Sequence, residues 1–292
     1  MEELAITLVR GIGEGAVFAL VAMSLNVIFN ATGILNFAQG DWVVVGGLFA
    51  FLFLGSSAGP LEWSLLAVGI AGAVGVLIIA QGYATLLPLR SSVEQHSWLV
   101  TTFAASAIIT SLILIFQGPA QIVVRNVFGT FSFLGVRHPV TYPILVVLAI
   151  VVFLALRWFY AHTLAGLAMH ALRQDLDAAR AAGAPVRRLQ LLAFGMAGIV
   201  VGVTGFVGAP VLGLSQAAGI HFVLNGFIVA VVGGLGNQFG ALLAGPLLGM
   251  LSVLSIFIVG GEFEQAVSLA VLISILLVKP EGVFGRPAAR RV

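Results

Sequence analysis

Hydrophobic residues fill most of the chain in runs of about twenty, the length an α-helix needs to cross roughly 30 Å of lipid hydrocarbon. Short segments with glycine, proline or charged residues separate the runs. The pattern predicts an all-α fold, a polytopic transmembrane helical bundle of eight or nine spans within a single domain over residues 1–292. The predicted spans are residues 13–30, 41–54, 61–87, 98–116, 140–160, 189–212, 219–235, 240–259 and 263–278.

The second run, residues 41–54, is short for a complete crossing. Either it includes residues before Asp41, or it is a broken or re-entrant helix, since irregular backbone at membrane depth usually lines a cavity. A re-entrant segment would reduce the spans to eight and move the N-terminus to the other side of the membrane.

Basic residues concentrate in two regions and predict the orientation. Positive charges near span ends favour the cytoplasmic side, so both regions are expected there. Nine spans then put the C-terminus in the cytoplasm and the N-terminus outside. Arg125 and Arg137 run against this trend, because the arrangement places them outside. The two regions contain Arg173, Arg180, Arg187 and Arg188, and then Lys279, Arg286, Arg290 and Arg291.

The composition supports a membrane protein and excludes some chemistry. Of the 292 residues, 60% are hydrophobic and 8% charged, which leaves too little polar surface for a water-soluble globule. The single lysine, Lys279, precedes Pro280, so no G-x-x-x-x-G-K-[ST] phosphate loop is present to hydrolyse ATP. No cysteine is available as a nucleophile or metal ligand. We expect no cofactor, no metal site and no nucleic-acid partner.

Small residues recur four positions apart, the spacing that lets membrane helices pack closely. We expect these pairs to form helix contacts, which are common to dense bundles and carry no information about function. The pairs are Gly11 with Gly15, Ala71 with Gly75, Gly198 with Gly202, Gly236 with Gly240, and Gly245 with Gly249.

One extended polar segment, residues 161–188, interrupts the apolar pattern. The sequence from residue 167 onwards predicts a short helix with Asp175 and Asp177 near its middle. Gly183 suits a left-handed helix end, and the proline two residues later suits the start of the next helix.

The charges of this segment allow two interpretations. They keep a cytoplasmic loop in water and fix the topology, or they belong to a surface that docks a soluble partner. The second interpretation is favoured because Arg173 and Arg180 flank the acidic residues, and Ala178 and Ala179 begin a flat alanine face that suits a groove in another protein.

Four segments carry recognisable motifs. Residues 177–183, DAARAAG, resemble the E-A-A-x-x-x-G loop of ABC importer permeases, with aspartate in place of glutamate. Residues 32–41 (TGILNFAQGD), 232–241 (VGGLGNQFGA) and 279–286 (KPEGVFGR) resemble three further motifs, T-G-x-x-N-F-A-x-G-E/D, G-G-x-G-S/N-x-x-G-A and R/K-P-x-G-L-F-G-R. In this order and spacing they are similar to the branched-chain amino-acid ABC permease family, in particular its smaller membrane subunit.

The resemblance implies a transport subunit of the bacterial inner membrane that is not itself an enzyme. Its expected partners are a second homologous permease, two cytoplasmic P-loop ATPase subunits, a periplasmic or extracellular substrate-binding protein, and membrane lipid. Branched-chain amino acids are the expected solute, with urea, amides or another small polar solute as alternatives. The coupling loop at 161–188 would contact the ATPases through Arg173, Asp175, Asp177, Ala178, Ala179 and Gly183.

Uncharged polar residues mark an expected translocation pathway. Asn36 and Gln39 lie before an apolar segment, where their amides are expected to bond backbone groups freed by a helix break. Asp41 is expected to cap the following helix. Asn225 lies where the family commonly carries a lysine, so the nature of the solute stays open.

Two other functions compete with the importer subunit. A stand-alone secondary transporter usually needs an ionisable residue in mid-membrane, and the acidic residues here are expected near span ends, with Glu14 the least certain. An intramembrane enzyme is disfavoured, because the chain has no H-E-x-x-H pair. No catalytic residue is predicted.

Overall fold

The computed structural model of the chain describes residues 2–53, 59–86, 97–121 and 123–285. Seven helices in these ranges are long and apolar enough to cross a membrane, and two shorter apolar helices accompany them. The predicted all-α bundle is confirmed. The predicted span ends at 54 and 87, and the arginines at 286, 290 and 291, lie outside the described residues.

The described residues form eleven α-helices. They are α1 (Glu2–Thr32), α2 (Gln39–Phe53), α3 (Pro60–Leu86), α4 (Ser97–Gln117), α5 (Thr141–His162), α6 (Leu164–Gln174), α7 (Leu176–Ala181), α8 (Val186–Gly208), α9 (Ala218–Val232), α10 (Gln238–Ile258) and α11 (Glu264–Val278), with a 3-10 turn at Gly261–Phe263.

The first helix, α1, forms the centre of the bundle and is almost entirely buried between residues 15 and 31. It begins eleven residues before the predicted span. The extension is favourable because Glu2 and Glu3 lie in its first turn, at the positive end of the helix dipole, and Arg10 pairs with Glu14 at 2.7 Å along one face.

Helix α1 runs antiparallel to α10 through glycine contacts. A side chain at Gly11 would meet the backbone of Met250, and one at Gly15 would meet the backbone of Gly245 and Pro246. Close backbone approach is how small residues stabilise helix pairs in membranes. The predicted packing role is confirmed for these pairs. Gly236 is different, because it adopts a φ of +79° in the turn between α9 and α10.

Replacing Gly15 with valine is expected to destabilise the bundle. The added carbons would overlap the backbone of α10, which cannot move without separating the two helices, at a cost on the order of 1–3 kcal/mol. The measurement is thermal unfolding of the purified chain in detergent. Gly72→Val is the matched control, since a side chain at Gly72 meets nothing within 4 Å. Equal unfolding temperatures for the two variants would contradict the packing account.

The two shorter helices, α2 and α9, meet at their N-terminal ends inside the bundle. Gly40 lies against the backbone of Gly219, and Asp41 contacts the same glycine. Residues 33–38, which join α1 to α2, are irregular and include the buried Asn36 and Ala38. The short second run is a continuous helix of 15 residues that begins at Gln39, so it includes two residues before Asp41, as one of the two alternatives predicted. Helix α9 is a second short helix.

A two-stranded antiparallel hairpin, β1 (Thr130–Phe133) and β2 (Val136–Pro139), lies between α4 and α5. The sequence analysis did not predict it. Its two turn residues, Leu134 and Gly135, both have positive φ, the backbone of a tight hairpin turn.

Helices α3, α4, α5 and α11 expose large apolar side chains outward. Phe116, Leu277 and Val278 are each more than four-fifths exposed. Such faces suit lipid or another membrane subunit and not water.

Candidate translocation pathway and coupling segment

The polar segment 161–188 folds as two short helices, α6 and α7, separated by Asp175. Thr163 caps α6 by accepting from Gly166 N at 3.0 Å. Asp175 caps α7 by accepting from Asp177 N at 3.0 Å and Ala178 N at 2.9 Å. The prediction that Asp175 lies in the middle of one helix is wrong, because its carboxylate competes for backbone N–H groups and starts a new helix.

The second short helix, α7, presents most of its side chains to solvent. Asp177 and Arg180 form an exposed ion pair at 3.3 Å. Ala178 is exposed, whereas Ala179 is buried, so the predicted flat alanine face is split. Gly183 follows the end of α7 with a φ of +85°, which is the predicted left-handed conformation.

Arg173, at the end of α6, connects this segment to the core of the bundle. Its guanidinium donates to the carbonyl oxygens of Leu235 at 3.1 Å and Gly236 at 3.3 Å. Two asparagines of α1 hold the same turn: Asn26 Oδ1 accepts from Gly236 N at 2.7 Å, and Asn30 Nδ2 donates to Gly236 O at 3.2 Å. The α6 end, the α9–α10 turn and α1 therefore form one hydrogen-bonded unit.

The C-terminal motif joins the same unit. Val283 N donates to Val232 O at 2.7 Å, and Asn237 Nδ2 donates to Phe284 O at 2.9 Å. Asn237 also caps α10 through Phe239 N and Gly240 N. The glycine-rich motif is thus a tight turn between helices, and it brings together motifs that lie far apart in the sequence.

Asn36 and Gln39 belong to a buried amide network. Asn36 Oδ1 accepts from Ala38 N at 3.2 Å, which is the predicted backbone bond at the helix break. Most of the network runs between side chains, because Gln81 of α3 donates to Asn36 at 2.8 Å and accepts from Trp42 Nε1 at 2.7 Å. No local pattern marks Gln81, which lies inside an otherwise apolar run.

Asp41 is buried in the first turn of α2. Its carboxylate accepts hydrogen bonds from Ser106 and from Thr110, at 3.2 Å for the latter, both on α4. The predicted backbone cap is therefore replaced by a contact between helices. Asp41 ties the N-terminal end of α2 to α4 and to α9, where it contacts Gly219.

Asn225 is fully buried on α9. Its amide nitrogen donates to the backbone oxygen of His221 at 3.1 Å and to Gln265 Oε1 at 3.3 Å. His221 lies in turn 3.9 Å from Glu264. Asn225 is thus the innermost member of a polar group that includes two ionisable residues.

The expectation that the acidic residues lie at span ends is wrong for Glu14. It lies within α1 and lines a cavity of about 340 Å³ together with Arg10, His221 and Glu264. The residues of this cluster come from three helices, so no local sequence pattern brings them together. Among the described residues no group of three histidine, cysteine or acidic side chains could hold a metal ion.

Polar side chains inside an apolar bundle are typical of membrane transport proteins. Comparison with known proteins also indicates a transport protein. The family described as "Branched-chain amino acid transport system / permease component" matches residues 7–276. The chain belongs to this permease family.

Individual permease relatives are distant in sequence but match over nearly the whole chain. The high-affinity branched-chain amino acid transport system permease protein LivH of Escherichia coli K12 is 26% identical over 97% of this chain and 96% of its own length. BraD of Pseudomonas aeruginosa is 26% identical over 98% and 97%. LivM of E. coli K12 is 27% identical over 80% of this chain and 60% of its own length. No solved structure matches the chain.

Membership of the permease family places the chain among multi-pass membrane transport proteins rather than enzymes. The four sequence motifs can also be placed on elements of the structure. Residues 32–41 supply the irregular start of α2, and residues 177–183 form α7 and the turn after it. Residues 232–241 form the turn that Arg173 contacts, and the described residues of the motif at 279–286 contact that turn.

Proposed function

We propose that the chain is a membrane-spanning permease subunit of an ATP-driven ABC importer for branched-chain or related amino acids in the bacterial inner membrane. The observation that carries this proposal is the exposed α6–α7 segment, which Arg173 ties to the α9–α10 turn and thereby to α1. If a partner bound to this segment moved, the hydrogen bonds of Arg173 would transmit the movement to the α9–α10 turn and to α1. The names of the relatives supply the solute class.

The coupling loop at 161–188 works in this proposal as a docking surface for two cytoplasmic P-loop ATPase subunits. Asp177 and Ala178 on the exposed face of α7 contact the ATPase, while Asp175 and Gly183 fix the two ends of that helix. Ala179 packs inward and anchors α7. Closure of the ATPases then moves the segment and changes access to the bundle.

Asn36, Gln39 and Asn225 remain the proposed polar residues of the translocation pathway. Asn36 and Gln39 sit at the break before α2, and Asn225 lies on α9, the helix whose N-terminal end meets α2. Short helices that end inside a membrane bundle place polar groups where a solute passes.

A second homologous permease is the proposed partner within the membrane. Two differently named permeases of E. coli K12, LivH and LivM, both match this chain, which supports a pair built from related subunits. The exposed apolar faces of α4 and α11 suit such a contact or lipid. A substrate-binding protein would deliver the solute at the opposite side.

The proposed orientation puts the α6–α7 end and the C-terminus in the cytoplasm and the N-terminus outside. The arginines of the coupling loop support it. The chain has no native cysteine, so single cysteines report the sides of the membrane. Ser132→Cys, in the hairpin, is expected to react with a membrane-impermeant maleimide added to intact spheroplasts. Arg180→Cys is expected to react only after lysis. The reverse pattern would overturn the orientation.

A second candidate function is stand-alone secondary transport, which the polar cluster of Glu14, His221 and Glu264 favours because ionisable groups inside a bundle often mark ion paths. Gentle-detergent purification of the tagged chain from its native host separates the two candidates. Recovery of a second permease and P-loop ATPases is expected, with ATP-dependent solute uptake after reconstitution. A chain that purifies alone and transports solute in liposomes without ATP would replace the importer proposal.

A further inference from the structure

The cavity beside α1 combines opposite charges with an apolar wall. It measures about 340 Å³, within the range of sites for small ligands. Arg10 and Glu14 line it from α1, His221 from α9 and Glu264 from α11. Phe18, Leu212 and Phe222 form apolar parts of its lining.

The cavity lies far from the coupling segment. Glu14 and Asn30 are separated by sixteen positions of one continuous helix, about 24 Å along its axis. In the proposed orientation the cavity is therefore on the outer side of the bundle, where a solute released by a binding protein would enter.

The charges in the cavity are not balanced in pairs. Arg10 Nε donates to Glu14 Oε1 at 2.7 Å, so these two residues neutralise one another. Glu264 accepts from the uncharged hydroxyl of Ser252. The nearest cationic candidate is His221, whose Nε2 is 3.9 Å from Glu264 Oε1, beyond hydrogen-bond length.

The side chain of Glu264 is 20% exposed, and a largely buried carboxylate is costly without a cationic partner at hydrogen-bond distance. Glu264 therefore leaves a place for a small cation that also fits beside His221. An ammonium group satisfies this requirement, because its three donors reach a carboxylate at short range.

The guanidinium of Arg10 offers a second binding point. Its Nε is used by Glu14, while the planar fork retains further N–H donors that suit a carboxylate. A ligand that carries an ammonium group and a carboxylate next to an apolar side chain would complement all three features of the cavity.

The buried amides next to the cavity add an independent observation. Asn225, one turn after His221, is fully buried, and its Oδ1 has no hydrogen-bond partner among the described residues. Gln265, which follows Glu264, likewise has no partner for its Nε2. Buried polar atoms without partners are uncommon. Here Asn225 is bonded to the cavity-lining His221, and Gln265 follows the cavity-lining Glu264 in the chain.

We propose that this cavity is a binding site of the permease itself for the zwitterion of an apolar α-amino acid. Glu264 binds the α-ammonium group, Arg10 binds the α-carboxylate, and Phe18, Leu212 and Phe222 contact the side chain. The proposal rests on the proposed function for its solute and adds the residues that recognise it.

The test measures binding to the full chain in lipid nanodiscs by saturation-transfer NMR, independently of ATP and of other subunits. The probes are leucine, 4-methylpentanoate, which lacks the ammonium group, and isopentylamine, which lacks the carboxylate. Wild-type chain is expected to bind leucine more strongly than either analogue. Leucine bound no better than the amine, or no leucine binding, would overturn the zwitterion site.

Glu264→Gln keeps the shape of the side chain and removes its charge. It is expected to weaken leucine binding at least about tenfold, since a charge-assisted hydrogen bond is lost. The matched control is Glu262→Gln, two residues earlier on the exposed 3-10 turn, which is expected to bind like wild type. Unchanged leucine binding in Glu264→Gln would overturn the proposal.

Arg10→Gln tests the other end of the ligand and guards against a general loss of structure. It is expected to weaken leucine binding while isopentylamine binding is at least as strong as before, because Glu14 then loses its cationic partner. Equal weakening of both probes would contradict the assigned role of Arg10.

ATP-driven leucine uptake by the reconstituted complex separates this inference from the proposed function. Leucine binding with the expected variant pattern but without ATP-driven uptake supports the site and contradicts the importer. ATP-driven uptake by wild type, together with unchanged binding and uptake in Glu264→Gln, supports the importer and overturns the site.

Discussion

Replacing Arg173 with methionine is expected to reduce ATP-driven leucine uptake by at least about tenfold, while the complex still assembles and hydrolyses ATP. The change removes two hydrogen bonds from a guanidinium to the carbonyl oxygens of Leu235 and Gly236. Hydrogen bonds to charged groups contribute about 1.5–3 kcal/mol each, and a tenfold change corresponds to about 1.4 kcal/mol. Without these two hydrogen bonds, movement of the α6–α7 segment is no longer transmitted to the α9–α10 turn.

The measurement is uptake and ATP hydrolysis by the same proteoliposomes. Arg188→Met is the matched control, because Arg188 is an exposed arginine at the same end of the bundle. It is expected to keep the wild-type ratio of solute transported to ATP hydrolysed. Parallel loss of uptake and hydrolysis in Arg173→Met would place Arg173 in ATPase docking instead of in transmission.

Helix α1 connects the turn that Arg173 contacts with the outer cavity. Asn26 and Asn30 hold the turn that Arg173 contacts, and Arg10 and Glu14 line the outer cavity on the same helix. Because α1 packs on α10 through backbone contacts at Gly11 and Gly15, these two helices are expected to move as one body.

The helices of the bundle were predictable because lipid requires long apolar runs and internal backbone hydrogen bonding. The bounds of α5, at Thr141–His162, differ from the predicted 140–160 by at most two residues. The start of α1 was missed because Glu2, Glu3 and Arg10 interrupt the apolar pattern before residue 13, although Arg10 pairs with Glu14 within the helix.

The cavity could not be predicted, because its residues are brought together only by tertiary packing. Glu14 and Glu264 are 250 positions apart, and each one alone is consistent with a helix end in water. The partners of Asp41 were unpredictable for the same reason. Its position before an apolar run suggested a helix cap. Its hydroxyl partners Ser106 and Thr110 lie on α4, and no local sequence pattern shows that α4 packs there.

Part of the structure of the coupling segment was predictable. Gly183 adopts a left-handed backbone conformation, which a glycine after a helix indicates in the sequence. Asp175 was misplaced because an aspartate is compatible with both a helix interior and an N-cap, and the choice depends on neighbouring backbone groups. The contacts of Arg173 with the α9–α10 turn were not expected, because they depend on tertiary packing.

Replacing Gly183 with valine is expected to abolish ATP-driven uptake and to prevent the ATPase subunits from co-purifying with the chain. Gly183 has a φ of +85°, and the left-handed region costs roughly 1–2 kcal/mol for an ordinary residue and is especially unfavourable for a β-branched one. Nothing lies within 4 Å of the position of a side chain there, so backbone strain is the only direct effect. The strain would displace α7 and its exposed residues Asp177 and Ala178.

Gly183→Asn separates this backbone effect from the loss of glycine itself, because asparagine tolerates the left-handed conformation. It is expected to retain ATPase co-purification and most of the uptake, whereas the valine variant retains neither. Both variants should reach the membrane in similar amounts, since the substitution lies on the exposed segment outside the packed helices. ATPase recovery with the valine variant at the wild-type level would mean that the partner subunits bind elsewhere on the permease, and that the conformation of α7 does not govern docking.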